Sequence, residues 1–308
     1  MNRIPTSPRN RLSSLCLALL AAVVIAPATP AAGKTTAPLD IQVETLGQGR
    51  PVLTIPGLNS HASVWRETCE ALKDVQCHLV QLPGFAGAKP AGHDEFLDEM
   101  ARQVLAYVRE NDLRQPVVIG HSLGGFLALK LALADADAVG PLVIVDSLPF
   151  FSAAMNPTAT SESVRPMAEA VRQQMLSSDD ATYRQQAAAS VRNMARDLVR
   201  VEELVRWGEN SDRATTAQAM VELMTADLRG ELGAVRSPTL VLGAWAAYAA
   251  FGQTQEATRA IFEGQYAALP GVRIELSEAG YHFLMWDDPQ WLQAQVGQFL
   301  TAHPAKDD

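Results

Sequence analysis

Seven short apolar runs, rich in β-branched residues and leucine, recur along the chain at residues 41–45, 52–55, 78–82, 117–119, 142–145, 239–242 and 272–276. Several are continuous rather than alternating, the pattern of strands covered on both faces. Helical periodicity separates them at residues 63–72, 95–110, 126–134, within 255–268, and at 289–302. The last of these opens on Asp288-Pro289, a capping aspartate followed by proline at the first helical position. Such alternation predicts an α/β fold with a mostly parallel central sheet flanked by helices. Sheets of this kind bind ligands at the carboxyl ends of their strands. With 308 residues, 48% of them hydrophobic, the chain can bury one large core, so one domain with an insertion is expected.

The insertion lies at about residues 147–230, where the strand pattern stops and helix-like segments remain at 164–176, 182–205 and 214–228. Helices placed between two strands of a parallel sheet read as a cap over the strand ends. Met155, Met175, Met194, Met220 and Met224 fall within it, with Phe150 and Phe151 at its start. Methionine adapts to irregular apolar ligands, and it also fills the core of a small helical layer.

Charge and composition exclude several functions. Against 34 acidic residues stand 25 lysines and arginines, a net charge of −9 that repels phosphates, so no nucleic-acid partner is expected. Cys16, Cys69 and Cys77 are too few for a four-thiolate zinc site, and the six histidines form no H-E-x-x-H, so no metal is expected. Arg3, Arg9 and Arg11, an apolar run at 15–26 and small residues at 27–33 follow the order of a secretory signal. Residues 1–31 are therefore expected to be removed and the protein to be secreted or periplasmic. Twelve apolar residues are too few to span a bilayer core of about 30 Å, and Cys16 lacks a lipoprotein context, so no stable membrane anchor is expected. In an oxidising compartment Cys69 and Cys77 either form a disulfide or remain two buried thiols.

The sharpest motif is Val117-Val-Ile-Gly120-His121-Ser122-Leu123-Gly124-Gly125, a strand running through G-x-S-x-G into a helix. That context exposes a serine hydroxyl on a strained turn above the sheet. Ile55-Pro56-Gly57-Leu58-Asn59-Ser60 follows an early strand, and Gly280-Tyr281-His282-Phe283 follows the last one. Together these motifs resemble the α/β-hydrolase superfamily over essentially the whole chain after the N-terminal segment. The resemblance implies Ser122 as nucleophile, His282 as general base, and the backbone N–H groups of Leu58 and Leu123 as the oxyanion hole. It implies no cofactor. The remaining histidines read as structural, with His61 and His121 as candidates to line the pocket.

One part of the family pattern is missing. After the strand at 239–242 the resemblance implies an aspartate, yet the sequence reads Gly243-Ala244-Trp245-Ala246. Alanine cannot orient an imidazole, and Glu256 falls on the following helix. The favoured substitute is Asp146, at the end of the strand at 142–145, because some members of the superfamily carry their acid there. A Ser–His dyad, an acid borne by the cap and an impaired site are the alternatives. Asp227-Leu228-Arg229 reads as structural, and Asp287 and Asp288 as the start of the last helix.

The expected activity is cleavage of a carboxylic ester of a small, largely apolar substrate through an acyl-serine. Acyltransferases, lactonases and amidases share that intermediate. A binding protein on an impaired hydrolase scaffold is the alternative of a different class, and Ala246 is the feature in its favour. A serine in place of an aspartate disfavours a dehalogenase. The sequence does not fix the oligomeric state.

Overall fold

The computed structural model describes residues 38–305 apart from Met155. The expected signal segment, 1–31, lies outside the described residues. Seven strands form one sheet: β1 (Gln42–Gly47), β2 (Arg50–Ile55), β3 (Val75–Gln81), β4 (Val117–His121), β5 (Leu142–Val145), β6 (Thr239–Ala244) and β7 (Arg273–Ser277). Their order is β1-β3-β2-β4-β5-β6-β7, with β1 antiparallel to β3 and every other pairing parallel. All seven predicted strands are present, shifted by at most a few residues at their ends.

Period-two alternation divides the core between the faces of the sheet. Val52, Val117, Ile119, Val143, Val145, Leu240 and Leu242 face one way and meet Trp65 and the last helix, α10 (Pro289–Ala302), through Leu292, Val296 and Phe299. Leu53, Ile55, Val118, Leu142, Ile144 and Val241 face the other way. They meet α2 (Phe96–Glu110) and α3 (Leu123–Ala134) through Met100, Val104, Phe126 and Leu127. On the first side, α1 (Arg66–Ala71) is joined to β3 by a Cys69–Cys77 disulfide spanning 6.1 Å between Cα atoms, so of the two readings of these cysteines the bonded one is present.

Between β5 and β6 lie α4 (Ser161–Ser177), α5 (Asp180–Val191), α6 (Leu198–Glu209) and α7 (Arg213–Thr225), followed after β6 by α8 (Gln255–Gln265) and, ahead of α10, by α9 (Leu284–Asp287). The segment expected to be one helix at 182–205 is two. The Asp197 carboxylate accepts from Val199 N–H and starts α6 anew, while tertiary contacts draw the intervening residues away from helical geometry. Met220 and Met224 pack with Ala168 and Val221 into a small core of their own, the structural use of methionine weighed above. At the other end of α7, the Glu222 carboxylate accepts from Phe96 and Leu97 N–H, each at 2.7 Å. It thereby caps α2, whose own N-cap residue makes no side-chain bond.

Candidate active site

The site begins with a packing problem at the β4–α3 turn. A Cβ on Gly120 would stand 2.1 Å from Gly124 O, and one on Gly124 would stand 2.2 Å from Ile55 O. Only bare backbone allows strand, turn and helix to approach this closely. Ser122, between them, adopts φ +52° and ψ −119°, a strained conformation for a residue with a side chain. The turn is held because Ser122 N–H donates to Val145 O at 2.9 Å, while Ser122 O accepts from Gly125 and Phe126 N–H. Ser122 therefore caps α3 at the carboxyl end of β4.

Asp146 occupies the same level on the neighbouring strand, also at positive φ (+43°). Its N–H donates to Leu242 O at 2.7 Å, and its Oδ1 accepts from Ala244 N–H at 2.8 Å. Its Oδ2 accepts from His282 Nδ1 at 2.6 Å, with the two side chains only 12% and 19% exposed. A carboxylate on Nδ1 assigns the proton to that nitrogen and leaves Nε2 of the neutral ring as an acceptor. The last residue of β6 thus gives the site a backbone donor in place of the missing acid. Ala246 lies beyond it in a 3₁₀ turn, Ala246–Phe251, and Glu256 lies in the first turn of α8.

His282 sits in a loop fixed from several directions. Ser277 Oγ accepts from Ala279 and Gly280 N–H and donates to Asp288 Oδ2 at 2.7 Å. Asp287 accepts from Tyr281 N–H and from Arg196 N–H, each at 3.0 Å, and burial pushes its carboxyl above the usual range. Phe283 N–H donates to Met194 O at 3.1 Å, so the α5–α6 connection rests directly on this loop. The aspartate pair thus does more than start a helix. Asp288 stands at the N-cap position of α10 as expected, but its side chain makes no capping bond and accepts from Ser277 instead, while Asp287 closes α9 and braces the histidine loop.

His121 lies wholly buried beneath the site. Its Nε2 donates to His282 O at 3.0 Å and the two rings are 4.4 Å apart between centroids. Burial, then the neighbouring His282, holds its pKa well below the ordinary value, so it is neutral. Its support of His282 was invisible in the sequence, which offered His121 only as a structural residue or a candidate to line the pocket. The other histidines hold structural or surface positions: His61 with Ser63, His78 with Tyr107, His93 with Asp40, and His303 with Phe299 O.

The two residues expected to supply oxyanion donors belong to segments beside the serine. A Cβ on Gly57 would be 3.1 Å from Ser122 Cβ, which places the Pro56–Ser60 loop against the nucleophile, and Leu123 is the first residue of α3. Among the described hydrogen bonds, neither Leu58 N–H nor Leu123 N–H donates, and none joins Ser122 Oγ to His282. In unliganded sites such catalytic contacts are commonly long and tighten with substrate. Among the described residues, one group has metal-ligand spacing: Asp40, His93 and Glu99 bring donor atoms within 4.8 Å of one another. These atoms lie at the surface and are engaged by one another and by Gln103 and Arg102. Asp227 pairs with Arg229 at 2.7 Å, the structural role expected of it.

The sequence model of the alpha/beta hydrolase family matches residues 52–294. A pimeloyl-[acyl-carrier protein] methyl ester esterase of Vibrio atlanticus is 38% identical over 112 residues, 36% of this chain and 42% of that protein. The chain thus spans well under two thirds of that relative's length. The enzyme of the same name from Nitrosomonas europaea is 29% identical over 205 residues, 66% of this chain and 79% of that protein. Among solved structures, an esterase from Exiguobacterium antarcticum superposes with a TM-score of 0.70 at 17% identity, covering 85% of this chain and 95% of that one, a likeness of fold. With its sheet order, its serine elbow and a family match over residues 52–294, the chain belongs to the alpha/beta hydrolase family.

Proposed function

We propose that this protein is a serine hydrolase that cleaves a carboxylic ester of a small, largely apolar substrate through an acyl-serine intermediate. The observation that carries the reading is the Asp146–His282 contact of 2.6 Å beside the strained Ser122 turn. Ser122 Oγ attacks the ester carbonyl while His282 Nε2 takes its proton, and Asp146 stabilises the imidazolium through Nδ1–H. The N–H groups of Leu58 and Leu123 receive the oxyanion. Collapse of the tetrahedral intermediate expels the alcohol, which leaves with the proton from His282. Water, deprotonated by His282, then attacks the acyl carbonyl, and Ser122 regains its proton as the acid departs.

The relatives' names support an ester with a small alcohol part. Transfer to another acceptor, or opening of a lactone or amide, uses the same acyl-serine and separates only at the second step. A binding-only scaffold had Ala246 in its favour, and the acid supplied from β5 counts against it. The reading includes a secreted or periplasmic location, supported by the charge order of the N-terminal segment and by the Cys69–Cys77 disulfide, a bond that persists in oxidising compartments. Among the described residues, no helix is long and apolar enough to cross a membrane.

The test is hydrolysis of a chain-length series of p-nitrophenyl esters by the wild type, Ser122→Ala, His282→Ala and Asp146→Asn, each confirmed to be folded. Wild-type turnover is expected, with losses of about 10⁴ or more in kcat for Ser122→Ala and His282→Ala, and up to about 10⁴ for Asp146→Asn. A folded wild type no faster than Ser122→Ala on every ester rules out the reading, and full activity in Asp146→Asn removes Asp146 from it.

A further inference from the structure

The loop that carries Leu58 is built around one constrained residue. Ser60 N–H donates to Gly57 O at 3.2 Å and closes a four-residue turn, Gly57 to Ser60, whose third position is Asn59 at φ +56°. A turn with positive φ at that position favours glycine or asparagine there. Asparagine tolerates the left-handed region better than most residues, yet still at a cost that surrounding contacts must offset. From beneath, the loop rests on Ser122 and His121 through Gly57. At its side, Gln81 accepts from Ala62 N–H at 2.8 Å and donates to Leu82 O and Phe85 O.

From above, the contact comes from the helical insertion. Thr216, in the first turns of α7 and 2% exposed, places its hydroxyl 2.6 Å from Asn59 Oδ1 and 2.8 Å from Asp212 O. One hydroxyl proton faces two acceptors. The pair remains bonded either with Asn59 Oδ1 accepting from Thr216 or, with the carboxamide rotated, with Asn59 Nδ2 donating to Thr216 while the hydroxyl serves Asp212 O. Among the described residues, this is the one hydrogen bond between residues 147–230 and the loop at 56–60. The start of α7 is itself held in place. Asp212 N–H donates to Gly84 O, Gly87 N–H to Asn210 O and Ala86 N–H to Ser211 Oγ. A Cβ on Gly84 would stand 2.7 Å from Thr215, so this seam fits closely.

We infer that Thr216 is a positioning residue for the oxyanion hole: through Asn59 it holds the turn that aims Leu58 N–H, so that turnover depends on α7 being seated on the loop. The inference rests on the serine-hydrolase reading and goes beyond it, because it assigns part of transition-state binding to a residue of the insertion that touches no reacting atom. A turn held loosely still admits the ester, whose carbonyl needs little from the hole. It binds the tetrahedral state less well, since the charge on that oxygen develops only there.

The test compares wild type, Thr216→Val and Thr216→Ser. Valine keeps the shape and removes the hydroxyl, and serine keeps the hydroxyl. Three quantities are read: kcat and KM on the best p-nitrophenyl ester, affinity for a trifluoromethyl ketone of matching acyl chain, and thermal midpoint. Thr216→Val is expected to lose about tenfold in kcat with KM within about twofold, and to bind the ketone weaker by the same factor as kcat/KM falls. Thr216→Ser is expected to restore both. Wild-type kcat and ketone affinity in Thr216→Val overturn the inference. So does a loss that Thr216→Ser fails to restore, or one that vanishes when assays are run equally far below each midpoint, since these mark a merely structural role. A wild type that neither hydrolyses any ester nor binds the ketone brings down the hydrolase reading and this one with it, whereas an active wild type matched by Thr216→Val brings down this one alone.

Discussion

The strands that lead into Ser122 and Asp146 are buried along their whole length, whereas the first helices of the insertion bury only a residue or two each. Every residue of β4, β5 and β6 is buried. By contrast, α4 buries only Val164 and Ala168, α5 only Tyr183, and Leu198 and Val199 at the start of α6 are among the most exposed large apolar residues of the protein. Ser122 and Asp146 thus rest on a close-packed base that transmits any change in volume. Within the insertion, α7 joins that base through Ala219 and Leu223 and α6 through Val201 and Leu204, and polar contacts add to these: Glu222 on α2, residues 210–212 on the Gly84 loop, Thr216 on Asn59, Arg200 on Glu67, and Met194 and Arg196 on the histidine loop. The difference teaches that position in the sheet is fixed by close packing at every residue, and position in the insertion by a few apolar residues of α6 and α7 together with hydrogen bonds.

Glycine exchange tests that contrast most severely. Gly124→Ala drives a Cβ into Ile55 O and Pro56 O, backbone atoms that cannot move aside, and is expected to cost at least about 3 kcal/mol in denaturant unfolding or to prevent folding. A well-folded Gly124→Ala with an unchanged midpoint would show that the elbow is far softer than its contacts imply. A titration gives the intermediate effect. His121 is neutral and its folded pKa is held below the ordinary 6.5, so the unfolded chain takes up its proton first on acidification. The stability it supports is complete above about pH 6.5 and is lost as pH falls from there through the folded value, at about 1.4 kcal/mol per pH unit. Unfolding free energy measured from pH 7 downward should therefore fall less steeply in His121→Gln by about that slope, and identical slopes would remove His121 from the acid response. The smallest effect has the opposite sign. Gly208 lies within α6 with open space where a Cβ would go, so Gly208→Ala should stabilise by up to about 1 kcal/mol. A destabilised Gly208→Ala would mean that the insertion is as tightly fitted as the sheet.

Legibility followed the same division. Strands buried on both faces leave continuous apolar runs, which marks the inner strands β4, β5 and β6, and the elbow announced itself through the glycines its packing requires. Asp146 followed only from the resemblance, since some members of the superfamily carry their acid at the end of that strand, and its contact with His282 joins residues far apart in sequence. Long-range polar contacts leave no periodic trace. The break between α5 and α6 was hidden because helical spacing continues through it, although Asp197 before Leu198 is a capping signal that could have been used. The braces supplied by His121, Asp287 and Thr216 each depend on a partner that only the fold brings near. The disulfide was open for the same reason, since spacing along the chain does not give the distance between Cα atoms.

The proposed placement of the acid at the end of β5 also has a consequence for variation. Ser122 and Asp146 hang from adjacent strands, about 4.8 Å apart in the pairing direction, and are coupled through the Ser122–Val145 hydrogen bond. Their separation is therefore a repeat distance of the sheet itself. On this reading the contribution from the next part of the chain is the Ala244 N–H, and the segment Ala246–Phe251, a 3₁₀ turn just past the end of β6, carries no catalytic duty. That makes it the natural graft point of the molecule: a stretch that can lengthen, shorten or change its chemistry to recruit new substrates while the reacting groups keep their register.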